Sequence, residues 1–489
     1  MSKKIVILGA GIASLSAASF LAKKGHKVTI LEKNSSIGGR ARQFSAEGFT
    51  FDMGPSWYWM PDVFENFYQK FGYTTSDFYE LKRLDPSYSV YWPDHSKSEI
   101  PAGMAEIEHW FESLEPGSAL KLKKFLKDAK YKYDVGMNDL VFKPSLGALE
   151  FADMRILKGI FNLHLTQSFS SYIRKYFTHP KIISLLEFPV LFLGAMPKDT
   201  PALYSLMNYA DLSLGTWYPM GGMYKFIEAF EKIALEQGVS IKTNSEVLSF
   251  EYAGNKATTA ITATEKYEAD IFISGADYHH TEASLLKDKA NYDESYWNSR
   301  TMAPSSLIFY VGLNKKVEKL NHHNLFFDES LEAHGEEIYK NPRWPKAPLF
   351  YLSVPSLTDA STAPSGQENL FFLVPIAPDL EDSEEIREDY FQRLLLRLKT
   401  ITGNDIENNI VYKRSFCISD FKNDYHAFKG NAYGLANTLK QTAIFKPKIK
   451  SKKLSNFYYT GQLTVPGPGV PPSIISGEVV ANLILKTHK

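Results

Sequence analysis

The chain has no net charge, a single cysteine and no long apolar run. Lys and Arg number 55 and Asp and Glu number 55. That balance gives no one-sided basic field of the kind nucleic-acid binders carry, so no nucleic-acid partner is expected. The lone Cys417 cannot form an intrachain disulfide, fits a reducing compartment, and reads as a small buried hydrophobe. No stretch of about 20 apolar residues is present, which argues against a membrane-spanning helix. The best candidate, Ile182 to Met196, is interrupted by Glu187, Pro189 and Gly194. The apolar run from Ile5 is too short for a signal peptide and leads straight into glycines. HExxH, GxSxG and clustered metal ligands are also missing, so no metal is expected. The pairs His279-His280 and His322-His323 are poor chelates, because strand neighbours point to opposite faces; surface or capping roles are expected instead.

What is present begins with size. A chain of 489 residues exceeds one ordinary hydrophobic core, so two or three domains are expected. Aromatic residues reach 14%, which large cores explain and which an apolar substrate channel would also use.

The N-terminus carries a motif with a physical meaning. Ile5-Val6-Ile7-Leu8 reads as a buried parallel strand. Gly9-Ala10-Gly11-Ile12-Ala13-Ser14 follows, then a helical run to Lys24, a stop at Gly25, and a second strand Val28 to Leu31 ending at Glu32. Gly9 permits the tight turn, Gly11 lets backbone approach a pyrophosphate, and the helix start offers free N–H groups. Ser14 stands where the fingerprint has Gly or Ala and is small enough to serve. Glu32, with Lys33 beside it, suits the hydroxyls of an unphosphorylated ribose, hence FAD or NAD rather than NADP. Gly38-Gly39-Arg40-Ala41-Arg42 then supplies a second phosphate contact, with Arg40 the candidate for charge-assisted hydrogen bonds.

With these motifs in place, the chain resembles the flavoprotein family of amine oxidases, protoporphyrinogen oxidase and carotenoid desaturases. The resemblance implies that Gly54, Pro55 and Ser56 run beside the flavin, that Val247 lays its backbone against adenine, and that Ala269 to Asp277 returns to the cofactor domain. Near the C-terminus, a strand Asn456 to Gly461 precedes the loop Pro466-Gly467-Pro468-Gly469-Val470-Pro471-Pro472 and a helical run from Ile474. A helix start there stabilises negative charge on a reduced ring, with Gly461, Gly469 and Val470 as contacts, and this makes FAD the expected cofactor.

Three stretches are similar to bacterial-type carotenoid desaturases: Trp57 to Pro61, Gly215 to Met223, and Tyr459 through Pro471. That resemblance implies hydride transfer from a long apolar polyene, with phytoene desaturation first and 1'-hydroxycarotenoid 3,4-desaturation as the alternative. Many relatives carry histidine before the loop proline where this chain has Val465, and the substrate stays open on that account. Carotenoid isomerase, flavin amine oxidase and a non-catalytic GDI-like lipid carrier are further readings.

The expected fold is α/β, with a Rossmann-like FAD-binding domain assembled from about 1–75, 225–290 and 410–489. A mixed-sheet substrate domain occupies about 76–224 and 291–409, with a helical lid near 105–200. Tyr58, Trp59, Trp217 and Tyr218 are expected as substrate walls. No catalytic residue is assigned; Glu187, Asp153, Asp211 and His426 are unranked proton acceptors. The basic amphipathic run Lys121 to Lys132 suits an anionic surface, so a location on the inner face of the cell membrane is expected. The electron acceptor is open.

Overall fold

The computed structural model describes residues 1–147, 150 and 167–488. Asp153 lies outside these residues.

Two sheets organise the chain. The first is parallel and five-stranded, in the order Phe457–Tyr459, Ile271–Ser274, Lys4–Leu8, Lys27–Leu31, Ser240–Lys242. Its members come from three distant parts of the sequence. The short apolar runs that read as buried strands take its centre, since a parallel sheet covered on both faces needs nothing polar. Helices Ile12–Lys23 and Val470–Thr487 pack along one another on it. They approach closely because Gly477 has no side chain: a Cβ there would stand 2.3 Å from the Ala13 carbonyl oxygen.

The second sheet is mixed and seven-stranded, running Ile410–Phe416, Ser305–Leu313, Glu368–Ile376, Phe350–Ser353, His323–Phe326, Tyr88–Tyr91, Lys97–Ile100. Alternation sorts its side chains. Phe309, Val311, Phe372 and Val374 pack on the helix Glu384–Thr402. Ile308, Tyr310, Leu325 and Tyr351 face the main core. Residues 410–416 belong to this sheet, although the sequence reading groups everything beyond about 410 with the first.

Between and beside the sheets lie short helices, including Met104–Leu114, Ser118–Val135 and Pro180–Glu187. The helix Ser118–Val135 is amphipathic as expected, but its apolar face is not offered outward. Leu122, Phe125, Leu126 and Ala129 are buried in the core, leaving Lys123, Lys124, Lys127 and Lys130 exposed.

The histidine pairs correct the expectation. Both faces of the seven-stranded sheet are covered, so opposite-facing neighbours are both interior: His322 is 5% exposed and His323 is 0%. His279 and His280 sit on a helical turn rather than a strand, and both are half-buried. Cys417 is fully buried, and burial pushes its thiol well up, as an inert hydrophobe requires.

Candidate active site

A cavity of about 500 Å³ opens at the C-terminal ends of the parallel strands and continues to the inner face of the mixed sheet. Ligands of open α/β sheets bind at such strand ends.

The first end is largely main chain. Gly9 holds a positive φ of 82° and donates its N–H to the Leu31 carbonyl at 2.8 Å, closing the turn after the first strand. Gly11 caps the helix Ile12–Lys23 with no side-chain partner, so no side chain competes for the first-turn N–H groups. A Cβ on Gly11 would meet nothing within 4 Å, which leaves a cradle for a ligand. Gly39 comes against Gly11, where its Cβ would stand 3.3 Å from the Gly11 Cα. Gly54 runs beside Arg40, whose carbonyl oxygen lies 2.4 Å from where a Gly54 Cβ would be.

Two charged side chains complete this end. Glu32 is 5% exposed and is held by the Ala10 N–H at 2.7 Å and by the Asn34 N–H at 2.8 Å. These donors fix the carboxylate in the cavity wall. Arg40 is half-buried against the Tyr425 ring at 5.1 Å; its Nη2 donates to the Asn431 carbonyl at 3.4 Å, and its buried Nε has no hydrogen-bond partner. Burial lowers the Arg40 pKa while Asp277 and Tyr425 oppose that fall. A guanidinium with one idle buried donor fits a phosphate. Arg42 pairs with Asp424 and anchors the segment from behind.

The other glycine loop faces the same space. Gly461, Gly469 and Val470 line it, and the Gly461 N–H donates to Ser476 Oγ at 3.0 Å. Gly469 has φ 113° and caps Val470–Thr487 without a side-chain partner. The cradle and the unpartnered Arg40 Nε both fit FAD. Ile12, Ala13, Lys33, Ala41, Pro55, Ser56 and Val247 also line the cavity. Ser14 does not: it is fully buried against Gly275, whose Cβ would stand 2.0 Å from Ser14 Oγ.

The second end is made of side chains. Trp57, Trp59, Phe188, Leu325, Ile338 and Tyr351 line it. Trp57 stacks on His323 with centroids 4.2 Å apart and an 11° angle. His323 Nδ1 lies 2.6 Å from the Tyr351 hydroxyl, and burial holds its pKa well below the usual value. His334 also lines the arm. Its Nε2 donates to the Pro375 carbonyl at 2.8 Å and its Nδ1 accepts from the Leu349 N–H at 3.1 Å. Burial lowers its pKa to about 4, so the ring is neutral.

Of the four expected wall residues, the cavity takes Trp59. Tyr58 turns away to Tyr79, with hydroxyls 2.8 Å apart. Trp217 and Tyr218 form a strand with Leu81–Arg83 outside the cavity lining. Among the proton acceptors, His426 lines the first end, stacked on His280 at 3.9 Å and 2.7 Å from Glu246. Glu187 is tied to Arg174, and Asp211 accepts from Tyr88 at 2.8 Å; neither lines the cavity. Trp57, Phe188, Asp277, His280, His334 and Tyr351 also line the cavity and were not singled out as site residues in the sequence. Strand alternation was the available signal for Trp57, because residues 57 and 59 face one way and Tyr58 the other.

Comparison with known proteins adds to this geometry. The family described as flavin containing amine oxidoreductase matches residues 12–485. A carotenoid 3,4-desaturase of Haloarcula japonica is 38% identical over 99% of this chain and 98% of its own. A 4,4'-diapophytoene desaturase of Staphylococcus aureus is 31% identical over 99% of each chain. A zeta-carotene-forming phytoene desaturase of Myxococcus xanthus is 29% identical over 99% of this chain and 94% of its own. Among solved structures, an oxidoreductase from Methanosarcina mazei superposes with TM-score 0.66 at 16% identity, covering 98% of this chain and 100% of that one. A putrescine oxidase bound to putrescine gives TM-score 0.62 at 13% identity over 99% of each chain.

Proposed function

The chain belongs to the flavin-containing amine oxidoreductase family and is an FAD-dependent carotenoid desaturase, and on that premise we propose that it introduces a double bond at the 3,4 position of a carotenoid. The observation that carries this reading is one cavity joining the glycine loops to an apolar arm, in a chain 38% identical to a 3,4-desaturase. Phytoene desaturation is the second reading, favoured by relatives at 31% and 29%.

Bound FAD supplies the hydride acceptor. The chain's own residues bind, orient and keep water out. Glu32 would hold the ribose and Arg40 the pyrophosphate. Gly54, Pro55 and Ser56 line the cavity just before Trp57, and Val247 would contact the adenine. Trp57, Trp59 and Phe188 hold the polyene rigidly, which is most of what a reaction between apolar carbons needs. His334 has both ring nitrogens engaged, so it shapes the arm without taking a proton.

The cofactor-binding unit comprises the parallel sheet and its helices, and the substrate unit comprises the mixed sheet and the short helices. Contact with an anionic membrane surface runs through the exposed lysines of Ser118–Val135, together with exposed Leu120, Tyr131, Phe142 and Leu146. Among the described residues no helix is long and apolar enough to cross a membrane.

The test is expression in two bacterial hosts, one accumulating phytoene and one accumulating a carotenoid saturated at the 3,4 position, with product masses read. A single pair of hydrogens lost in the second host alone supports 3,4-desaturation. Stepwise losses from phytoene replace it with the second reading.

A further inference from the structure

Lys446 is a buried cation outside the site described above. It is 2% exposed, and its Nζ has no hydrogen-bond partner among the described residues. It follows the turn Ala443–Phe445, and its own N–H donates to the Ala443 carbonyl at 3.1 Å. A Cβ built on Gly467 would stand 3.3 Å from Lys446 Nζ and 3.3 Å from Asn437 Oδ1. That Asn437 oxygen is also buried without a partner. A donor and an acceptor, both unsatisfied, therefore meet at the backbone of one glycine. The neighbouring lysine differs: Lys448 Nζ donates to the Ser145 and Ile444 carbonyls.

The place matters more than the vacancy. Pro468, Gly469 and Val470, which follow Gly467, line the cofactor end of the cavity, whereas Lys446 stands behind that wall. A methionine or leucine would fill the same volume without the cost of burying an ammonium. In a low-dielectric interior, however, a charge is felt at distances where water would screen it. The helix beginning at Val470 already directs its positive end at the cavity. Pro471 and Pro472 carry no N–H, so its first turn offers fewer donors than usual.

We propose that Lys446 is a positioning residue for the FAD: its ammonium, seated behind Gly467, adds positive potential to the Pro468–Val470 wall and favours the reduced, more negative cofactor. This rests on the chain holding FAD. Burial alone lowers the Lys446 pKa, to about 7, and no charged group contributes. The ammonium is accordingly present at about pH 6 and absent by about pH 9.

The test is the flavin midpoint potential of the purified holoprotein at those two pH values, in the native chain and in K446M. Flavin absorbance per protein reports loading separately, so loss of FAD is distinguished from failure of the proposal. The expected result is a lower potential for K446M at the acid pH, with the gap closing at the alkaline pH. A purely structural role moves both values alike; that outcome, or equal potentials throughout, overturns the proposal. Should K446M not fold, K446R keeps its charge at both pH values. It is expected to match the native potential at the acid pH and exceed it at the alkaline pH, and a curve parallel to the native one overturns the proposal.

Discussion

At one end of the cavity the wall is mostly main chain: Gly9, Gly11, Gly39, Gly54, Gly461 and Gly469, with two helix starts and the side chains of Glu32 and Arg40. At the other end it is side chains: Trp57, Trp59, Phe188, Leu325, Ile338 and Tyr351, drawn from five separate segments. The difference follows from what each ligand offers. A dinucleotide presents charge and hydroxyls at fixed spacing, which backbone N–H groups at helix starts match directly. A polyene presents only length and apolar surface, which many combinations of large side chains satisfy.

The comparison breaks most sharply at Gly54 and Arg40. An alanine at Gly54 puts its Cβ 2.4 Å from the Arg40 carbonyl oxygen, a main-chain atom with little room to move. Gly54→Ala is expected to abolish FAD retention, read as loss of flavin absorbance in purified protein. Arg40→Met removes the idle buried donor without adding bulk, and is expected to cost about 2 to 5 kcal/mol of FAD affinity. Isothermal titration of the stripped protein with FAD measures this. Unchanged affinity would mean that the arginine serves the fold rather than the cofactor.

The same difference decides what could be read beforehand. Gly9 to Ala13, Glu32 and Arg40 stand at spacings set by one strand, one turn and one helix, so they were legible as a group. Ser14 occupies the last slot of that pattern, yet packs on Gly275 out of the cavity, because that slot serves helix–strand contact. The strands of the mixed sheet were legible from their apolar runs, but their order was not, since it joins residues 88–100 to residues 305–416 across the chain. The substrate wall was the least legible part. Trp217 and Tyr218 sit in a distinctive stretch of sequence, but pairing with Leu81–Arg83 turns them elsewhere. Phe188 and Ile338 belong to no motif, because burial and packing alone bring them together.

Two tryptophans sharpen this contrast. Trp59 lines the arm and donates its Nε1–H to Thr216 Oγ1 at 2.9 Å. Trp217 is half-buried outside it, beneath the Arg83 guanidinium at 5.6 Å. Trp59→Ala is expected to lower kcat/KM for the carotenoid by about tenfold or more while leaving FAD content unchanged, because the polyene loses its fixed position. Trp217→Ala is expected to cost stability and to leave kcat/KM within about twofold. Equal losses in the two variants would erase the distinction between arm and surroundings.

The smallest effect concerns a carboxylate near the cavity but not in its lining. Asp211 is 2% exposed, and its Oδ2 accepts from Tyr88 at 2.8 Å while its Oδ1 has no partner. Burial chiefly raises its pKa to about 7, with the Tyr88 hydroxyl and Arg83 pulling the other way. The folded protein thus keeps a proton that the unfolded chain releases near pH 4, and stability falls as pH rises from about 4 to about 7. Above that window the fold carries a buried charge. Asp211→Asn keeps an acceptor for Tyr88 and removes the charge, so it is expected to stabilise by on the order of 2 kcal/mol at about pH 8. The gain should shrink as pH falls through that window and vanish below about pH 4, where folded and unfolded carboxyls are both protonated. Thermal melts across that range, paired with a desaturation assay, separate the two roles open to this residue. A structural group gives a more stable and fully active variant at alkaline pH, whereas lost activity would place Asp211 in proton transfer after all.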